Sequence, residues 1–175
     1  MRLVFAFWLL FLSCLAPSGR STATTLNELQ IGVRVFDFMT SPPRAQSPLA
    51  VIYDAQNTVS ADDARAIVAW LQGGVTSAKA EFRASLVDAR RLDEFAGYRF
   101  AIVANGSAAY FNIIYDYAKK NQTLTVSADL SCMRSGKCAV GVTSVPRVDV
   151  IVNRSVASSC SVEFSEAFRM MVKEY

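Results

Sequence analysis

The stretch Thr123–Asn153, TLTVSADLSCMRSGKCAVGVTSVPRVDVIVN, constrains the fold of this chain more than any other. It holds three apolar runs, Thr123–Val126, Ala139–Val142 and Val148–Val152, all rich in β-branched residues that fit the pleated, half-buried surface of a sheet. In the third run Val148, Val150 and Val152 alternate with Asp149 and Ile151. Val145-Pro146-Arg147 separates the last two runs; proline presets a turn and has no N–H for a ladder, so the spacing predicts a hairpin there. Between the first two runs, Cys132 and Cys138 bracket Met-Arg-Ser-Gly-Lys. A loop this short closes at little entropic cost, so a Cys132–Cys138 disulfide is expected if the chain folds in an oxidising compartment, leaving Cys160 reduced.

The start of the chain points to such a compartment. Met1 and Arg2 precede an almost unbroken apolar run, Leu3–Leu15, too short to span a bilayer and suited to the h-region of a secretory signal peptide. Ser21-Thr22-Ala23 offers small residues for a peptidase, which sets a leader at residues 1–23 and a single domain at 24–175. Ala16–Ser18 is a second cleavage position, and Cys14 a second kind of processing site, a lipidated cysteine, although Phe11-Leu12-Ser13 lacks the usual aliphatic and small pair. Two of the 18 basic residues, Arg2 and Arg20, and none of the 15 acids lie in the leader, so the formal charge of +3 falls to +1 on its removal. That balance, with no basic run longer than two, argues against nucleic acid as a partner. The chain has no histidine, which excludes Ser-His-Asp and Cys-His catalysis and every histidine-based metal site.

Read in order, residues 24–175 alternate strand and helix. Leu26, Leu29, Val33 and Phe36 recur at helical spacing before Ser41-Pro42-Pro43, although Ile31, Val33 and Val35 also alternate as a strand would. Leu49–Tyr53 is a continuous apolar run suited to a strand buried on both faces. Ser60 is placed to cap a helix over Ala61–Gln72 that buries Ala64, Ile67, Val68 and Leu71 and stops at Gly73-Gly74. Phe82, Ala84 and Leu86 predict an edge strand, Leu92–Ala96 a short helix, and Phe100–Ala104 a third strand. Ser107 would cap the next helix, which buries Phe111, Ile114, Tyr115 and Ala118 and leaves Tyr110 and Tyr117 off that face. Phe164, Ala167, Phe168 and Met171 predict a closing helix. The rhythm is that of one compact α/β domain: a mixed, mostly parallel sheet of five to six strands, helices on both faces, and a late hairpin.

No Walker or dinucleotide fingerprint occurs, because the turn Ala104-Asn105-Gly106-Ser107 lacks both the Gly-Lys-Ser/Thr and the further glycines. Ligands of open α/β sheets sit beyond the carboxyl ends of strands, which makes Asp54, Asn105, Ser107, Ser127 and Asp129 the candidate crevice. Tight-turn formation and helix capping are competing roles for the same residues. Arg134 and Lys137, between the paired cysteines, form a candidate loop for an acidic partner. No catalytic, cofactor or metal residues are assigned.

Leu124-Thr125-Val126-Ser127 followed by Asp129, a glycine-containing loop, Val148–Asn153 ending Ile-Val-Asn, then Arg154–Ala157 and a closing amphipathic helix resemble the C-terminal half of the YfiR-like periplasmic proteins. The opening helix, with Phe36 and Phe38 shortly before a proline, is similar to that family's first segment, while Ser41-Pro42 stands where the family has Trp-Pro. The resemblance implies a periplasmic α/β domain, often dimeric, that senses or represses for an inner-membrane diguanylate cyclase and so acts in cyclic-di-GMP signalling. A non-enzymatic regulator or sensor of this kind is the first expectation. The second is a small solute-binding protein with its ligand at the strand carboxyl ends, and the third an exported hydrolase with an unfamiliar Ser or Asp site.

Overall fold

A computed structural model describes residues 23–95 and 97–175. Residues 1–22, which hold all but the last residue of the expected leader, Cys14 and the second cleavage position at Ala16–Ser18, lie outside the described residues, and so does Ala96. The first helix, α1 (Leu26–Val35), resolves the helix-or-strand ambiguity in favour of helix, because a capping box fixes its start: the Thr25 hydroxyl accepts from the Glu28 N–H and the Glu28 carboxylate accepts from the Thr25 N–H. A single 3-10 turn, Phe36–Phe38, follows. Strand β1 (Ser47–Tyr53) leads to α2 (Thr58–Gln72) and β2 (Phe82–Asp88). A 3-10 segment, Ala89–Glu94, precedes β3 (Phe100–Val103), and α3 (Phe111–Asn121) connects this to β4 (Leu124–Ser127). Then come α4 (Leu130–Arg134), β5 (Val140–Thr143), β6 (Asp149–Val152), α5 (Arg154–Ser159), α6 (Glu166–Met171) and the two-residue β7 (Lys173–Glu174).

The strands form one sheet in the order β2-β1-β3-β4-β5-β6-β7. The first five are parallel, β6 is antiparallel to β5 across the expected hairpin, and β7 runs parallel to β6. The hairpin turn contains a cis Val145–Pro146 peptide. Alternate residues of each strand divide the core. Leu49, Val51, Phe100, Ile102, Leu124 and Val126 face α1 and α2, where Leu29, Val33, Phe36, Ala64, Ile67 and Leu71 cover them. Ala50, Ile52, Ala101 and Val103 face the other way, onto Leu92, Phe111, Ile114, Tyr117 and Met133. Phe36 is fully buried and meets Phe82 and Phe100 edge to face, with centroids 5.5 and 5.1 Å away.

The expected architecture holds, with β7 as an added strand too short to carry a periodic signal. Local assignments differ, and the short helix expected from Leu92 is the 3-10 segment Ala89–Glu94. The cap of α2 is Asn57, whose side chain accepts from the Val59 N–H, so the helix begins before Ser60. Ser107 makes no capping bond, and a 3-10 turn, Ala108–Tyr110, intervenes before α3. On α3, Phe111, Ile114 and Ala118 are buried as expected, but Tyr117 is buried with them and Tyr115 is only half-buried. In α6 only Phe168 is buried; Met171 is 67% exposed.

Candidate functional site

The parallel order β2-β1-β3-β4-β5 reverses direction between β1 and β3, and this switch point is where the crossover loops of a doubly wound sheet diverge and leave room for ligands. In this protein the loops close on each other. Asp54, at the end of β1, donates its N–H to Ser60 Oγ at 3.1 Å and accepts the Gln56 N–H in its own turn. Ser60 Oγ lies 2.9 Å from Ser107 Oγ, and Asn57 Nδ2 donates to the Gly106 carbonyl at 2.9 Å. Gly106 has φ +79°, and a Cβ there would stand 3.0 Å from Asn57 Nδ2, so the turn needs glycine both for its conformation and for this approach. Asn105 donates its N–H to Asp63 Oδ2 at 2.7 Å and its amide to the Thr24 hydroxyl at 2.9 Å.

Asp54, Asn105, Ser107 and Ser127 are accordingly 8, 2, 0 and 0% exposed, a closed polar seam rather than an open mouth. Ser127 donates to the Val103 carbonyl and accepts the Asp129 N–H; Asp129, half-buried, caps α4 through the Ser131 N–H. Beside Ser127 there remains a cavity of about 10 Å³, also lined by Thr24, Glu28 and Gly32, which is the space of one water. The residue that sequence reading missed here is Asp63. It sits within the apolar stripe Ala64, Ile67, Leu71 of α2 at 2% exposure, and an acid in that register is the signal that was there to read. Burial raises its pKa above the ordinary value, opposed by hydrogen bonds from Asn105 and Thr24, while the Glu28 charge raises it further.

Cys132 and Cys138 form the expected disulfide, with a Cα–Cα distance of 5.2 Å; Cys132 lies in the short helix α4, and the segment between them carries its last residues, Met133 and Arg134, and the turn that follows. Both are fully buried, so the bond belongs to the core and not only to the surface. α4 lies close on the sheet because β5 carries Gly141 beneath it: a Cβ there would be 2.7 Å from Leu130 Cδ2 and 3.3 Å from Met133 Cβ. Arg134 is exposed at the end of α4, and Lys137 places its Nζ 5.1 Å from the centre of the Tyr115 ring. Cys160 is unpaired and buried, and burial pushes its thiol up to about 11, with Lys119 pulling weakly the other way.

A much roomier concavity lies elsewhere, where α5, α6 and β7 meet the end of β6. It encloses about 560 Å³, within the range of small-molecule sites. Val152, Val162, Phe164 and Val172 give it an apolar wall. Its charges are Arg154, Arg169, Glu163 and Glu174, and Glu174 is shared, one carboxylate oxygen 3.3 Å from Arg154 Nη1 and the other 3.3 Å from Arg169 Nε. These are solvated pairs, with the arginine side chains 63 and 45% exposed, so little energy opposes their rearrangement. Two guanidinium groups and two carboxylates around an apolar wall can hold a solute carrying both charges. No sequence motif singled out Glu163, Arg169 or Glu174, which lie on separate segments that only the fold brings together. Among the described residues no cluster of acids and cysteines is placed to hold a metal ion, and no helix is long and apolar enough to cross a membrane.

No family model matches the chain, and no curated protein matches it in sequence. Solved structures do resemble it in fold. One is a ligand-free, open substrate-binding protein with adhesive properties from Clostridium difficile, with a TM-score of 0.60 and 12% identity over 87% of this chain. Another is an ABC domain in complex with L-Trp from Streptococcus pneumonia, with a TM-score of 0.57 and 9% identity over 84% of this chain. The chain spans 60% of the length of each of these two proteins. At such identities the likeness is one of fold.

Proposed function

We propose that this is an exported, non-enzymatic solute-binding protein that holds a small zwitterionic solute, of amino-acid size, in the cleft between α5, α6 and β7. The observation that carries the reading is that cleft: about 560 Å³, an apolar wall, and Arg154, Arg169, Glu163 and Glu174 around it. The solute's carboxylate would take over the guanidinium groups now shared by Glu174, and its ammonium would lie against Glu163 or Glu174. Two fold neighbours support the class, one described as a substrate-binding protein and the other in complex with L-Trp. The buried disulfide and the leader-like run Leu3–Leu15 support export, to the periplasm in a bacterium with two membranes. The polar seam at Asp54, Asn105 and Ser107 is satisfied internally and holds the fold. Thermal unfolding against a panel of amino acids tests this: a true ligand at a hundredfold excess over its dissociation constant adds about 2.7 kcal/mol. Arg169→Ala should abolish the gain, and a panel without effect would refute the reading.

One observation favours a second reading, a regulator of the YfiR type. The disulfide fixes α4 so that exposed Arg134 and ring-seated Lys137 are presented together, a surface suited to an acidic patch on an inner-membrane signalling protein such as a diguanylate cyclase, with or without a homodimer. Co-purification of a membrane partner, lost on Arg134→Ala with Lys137→Ala, is its test.

A further inference from the structure

We infer that the chain is processed at the Ala23–Thr24 bond and that the α-ammonium so created is a structural group, seated on the buried carboxylate of Asp63. Thr24 is 5% exposed and Asp63 2%, whereas Ala23 is exposed, so the chain enters the fold between residues 23 and 24. The backbone nitrogen of Thr24 lies 2.7 Å from Asp63 Oδ1, and its hydroxyl 2.9 Å from Oδ2. Upstream, Ser21 and Ala23 are the small side chains that an export peptidase accepts three residues before and immediately before its cut. The leader reading and the position of Thr24 are independent, and they meet at the same bond.

While residue 24 is joined to residue 23, Asp63 faces only neutral donors. No lysine or arginine among the described residues pairs with it. A carboxylate buried without a cation is costly, which is why burial raises the pKa of this group. Hydrolysis of the Ala23–Thr24 bond consumes one water, leaves a carboxylate on Ala23 and an amine on Thr24, and at neutral pH the amine holds a third proton. The cut thus places a positive charge at hydrogen-bonding distance from Asp63 without moving an atom of the fold. The two other ammonium protons face the side vacated by Ala23, towards solvent. The consequence is a fold tightened by its own maturation: Asp63, through Asn105, ties α2 to the end of β3, and the new charge locks that tie.

The linkage has the same sign in the two forms but acts in different pH windows. In the uncut chain the raised pKa of Asp63 makes its contribution greatest in acid and lost as pH rises through that raised value. In the cut chain the α-ammonium gains a partner, so its pKa lies above the ordinary value of about 8; its contribution is complete below that value and lost as pH rises through the raised one.

The experiment has two parts, neither requiring a ligand. Intact mass and N-terminal sequencing of the protein recovered after export should give a chain beginning at Thr24; any other first residue overturns the inference. Two proteins released from a cleavable tag, one beginning at Thr24 and one at Thr22, are then melted across the pH range. The first should melt several degrees higher at neutral pH and lose that advantage between about pH 8 and 10. Acetylation of the Thr24 amine should remove the alkaline loss, as should Asp63→Asn; should Asp63→Asn not fold, the Thr22 protein and the acetylated one carry the comparison. Identical pH profiles for the two proteins would contradict the ion pair.

Discussion

Replacing both Cys132 and Cys138 by alanine should lower the melting temperature by about 10 °C, and the figure can be built from the structure. The cross-link joins residues six apart in sequence, and the chain-entropy relation for so small a ring gives about 2 kcal/mol. Both sulfurs are fully buried against α3 and α4, among Ile114, Tyr117 and Met133, and removing each leaves a small cavity costing about 1 kcal/mol. The sum of about 4 kcal/mol, at roughly 2–4 °C per kcal/mol for a domain of this size, gives the stated fall. Circular dichroism melts are the assay, with Cys160→Ala as the control that loses a buried sulfur and no cross-link. A double variant that melts within about 3 °C of the parent, or no lower than the control, would show that the bond constrains neither the unfolded chain nor the packing of α4.

Gly141→Ala should destabilise by about 1–3 kcal/mol in denaturant unfolding, because its Cβ would meet Leu130 and Met133 at the closest approach of α4 to the sheet. Cys160, whose thiol is held at about 11 by burial, should resist alkylation at pH 8 until denaturant opens the fold, as followed by mass spectrometry; rapid native labelling would contradict its place in the core. Asp149 is held below the ordinary carboxylate range by Lys173 first, against some burial, and then by Arg147. Its contribution is therefore present above the ordinary carboxylate pKa and lost as pH falls through the lowered one, so protection of the Tyr175 amide, bonded to the Val152 carbonyl beside β7, should weaken in acid.

The parallel sheet was legible in the sequence wherever a run of β-branched residues was buried on both faces, as at Leu49–Tyr53 and Phe100–Ala104, since neither depends on what packs above it. The disulfide was legible for a similar reason, both partners lying within one short segment. The site was not legible in the same way. For Asn105 and Ser107 the sequence offered a tight turn, a helix cap or a ligand contact, whereas Ser60 and Asp63, in the first two turns of α2, reach across 47 and 42 residues of sequence to satisfy them. Pairings of that separation leave no local pattern. On α3 the expected Phe111, Ile114 and Ala118 are buried, and only the tyrosine differs: Tyr115 and Tyr117 flank that face on either side, and Tyr117 is the one covered. The cleft of Arg154, Arg169 and Glu174 depends on β7 folding back beside β6, and two residues carry no periodicity.

Nuclear magnetic resonance titration of the 15N-labelled protein with the amino acids that raise its melting temperature tests the central claim most directly. The account predicts that shifts concentrate on Arg154, Ser158, Ser161, Phe164, Arg169 and Glu174, which line the cleft, while Asp54, Asn105 and Ser107 stay fixed in their buried seam. Shifts centred on Asp54, Asn105 and Ser107 instead, with the cleft silent, would return the ligand to the carboxyl ends of the strands and contradict it.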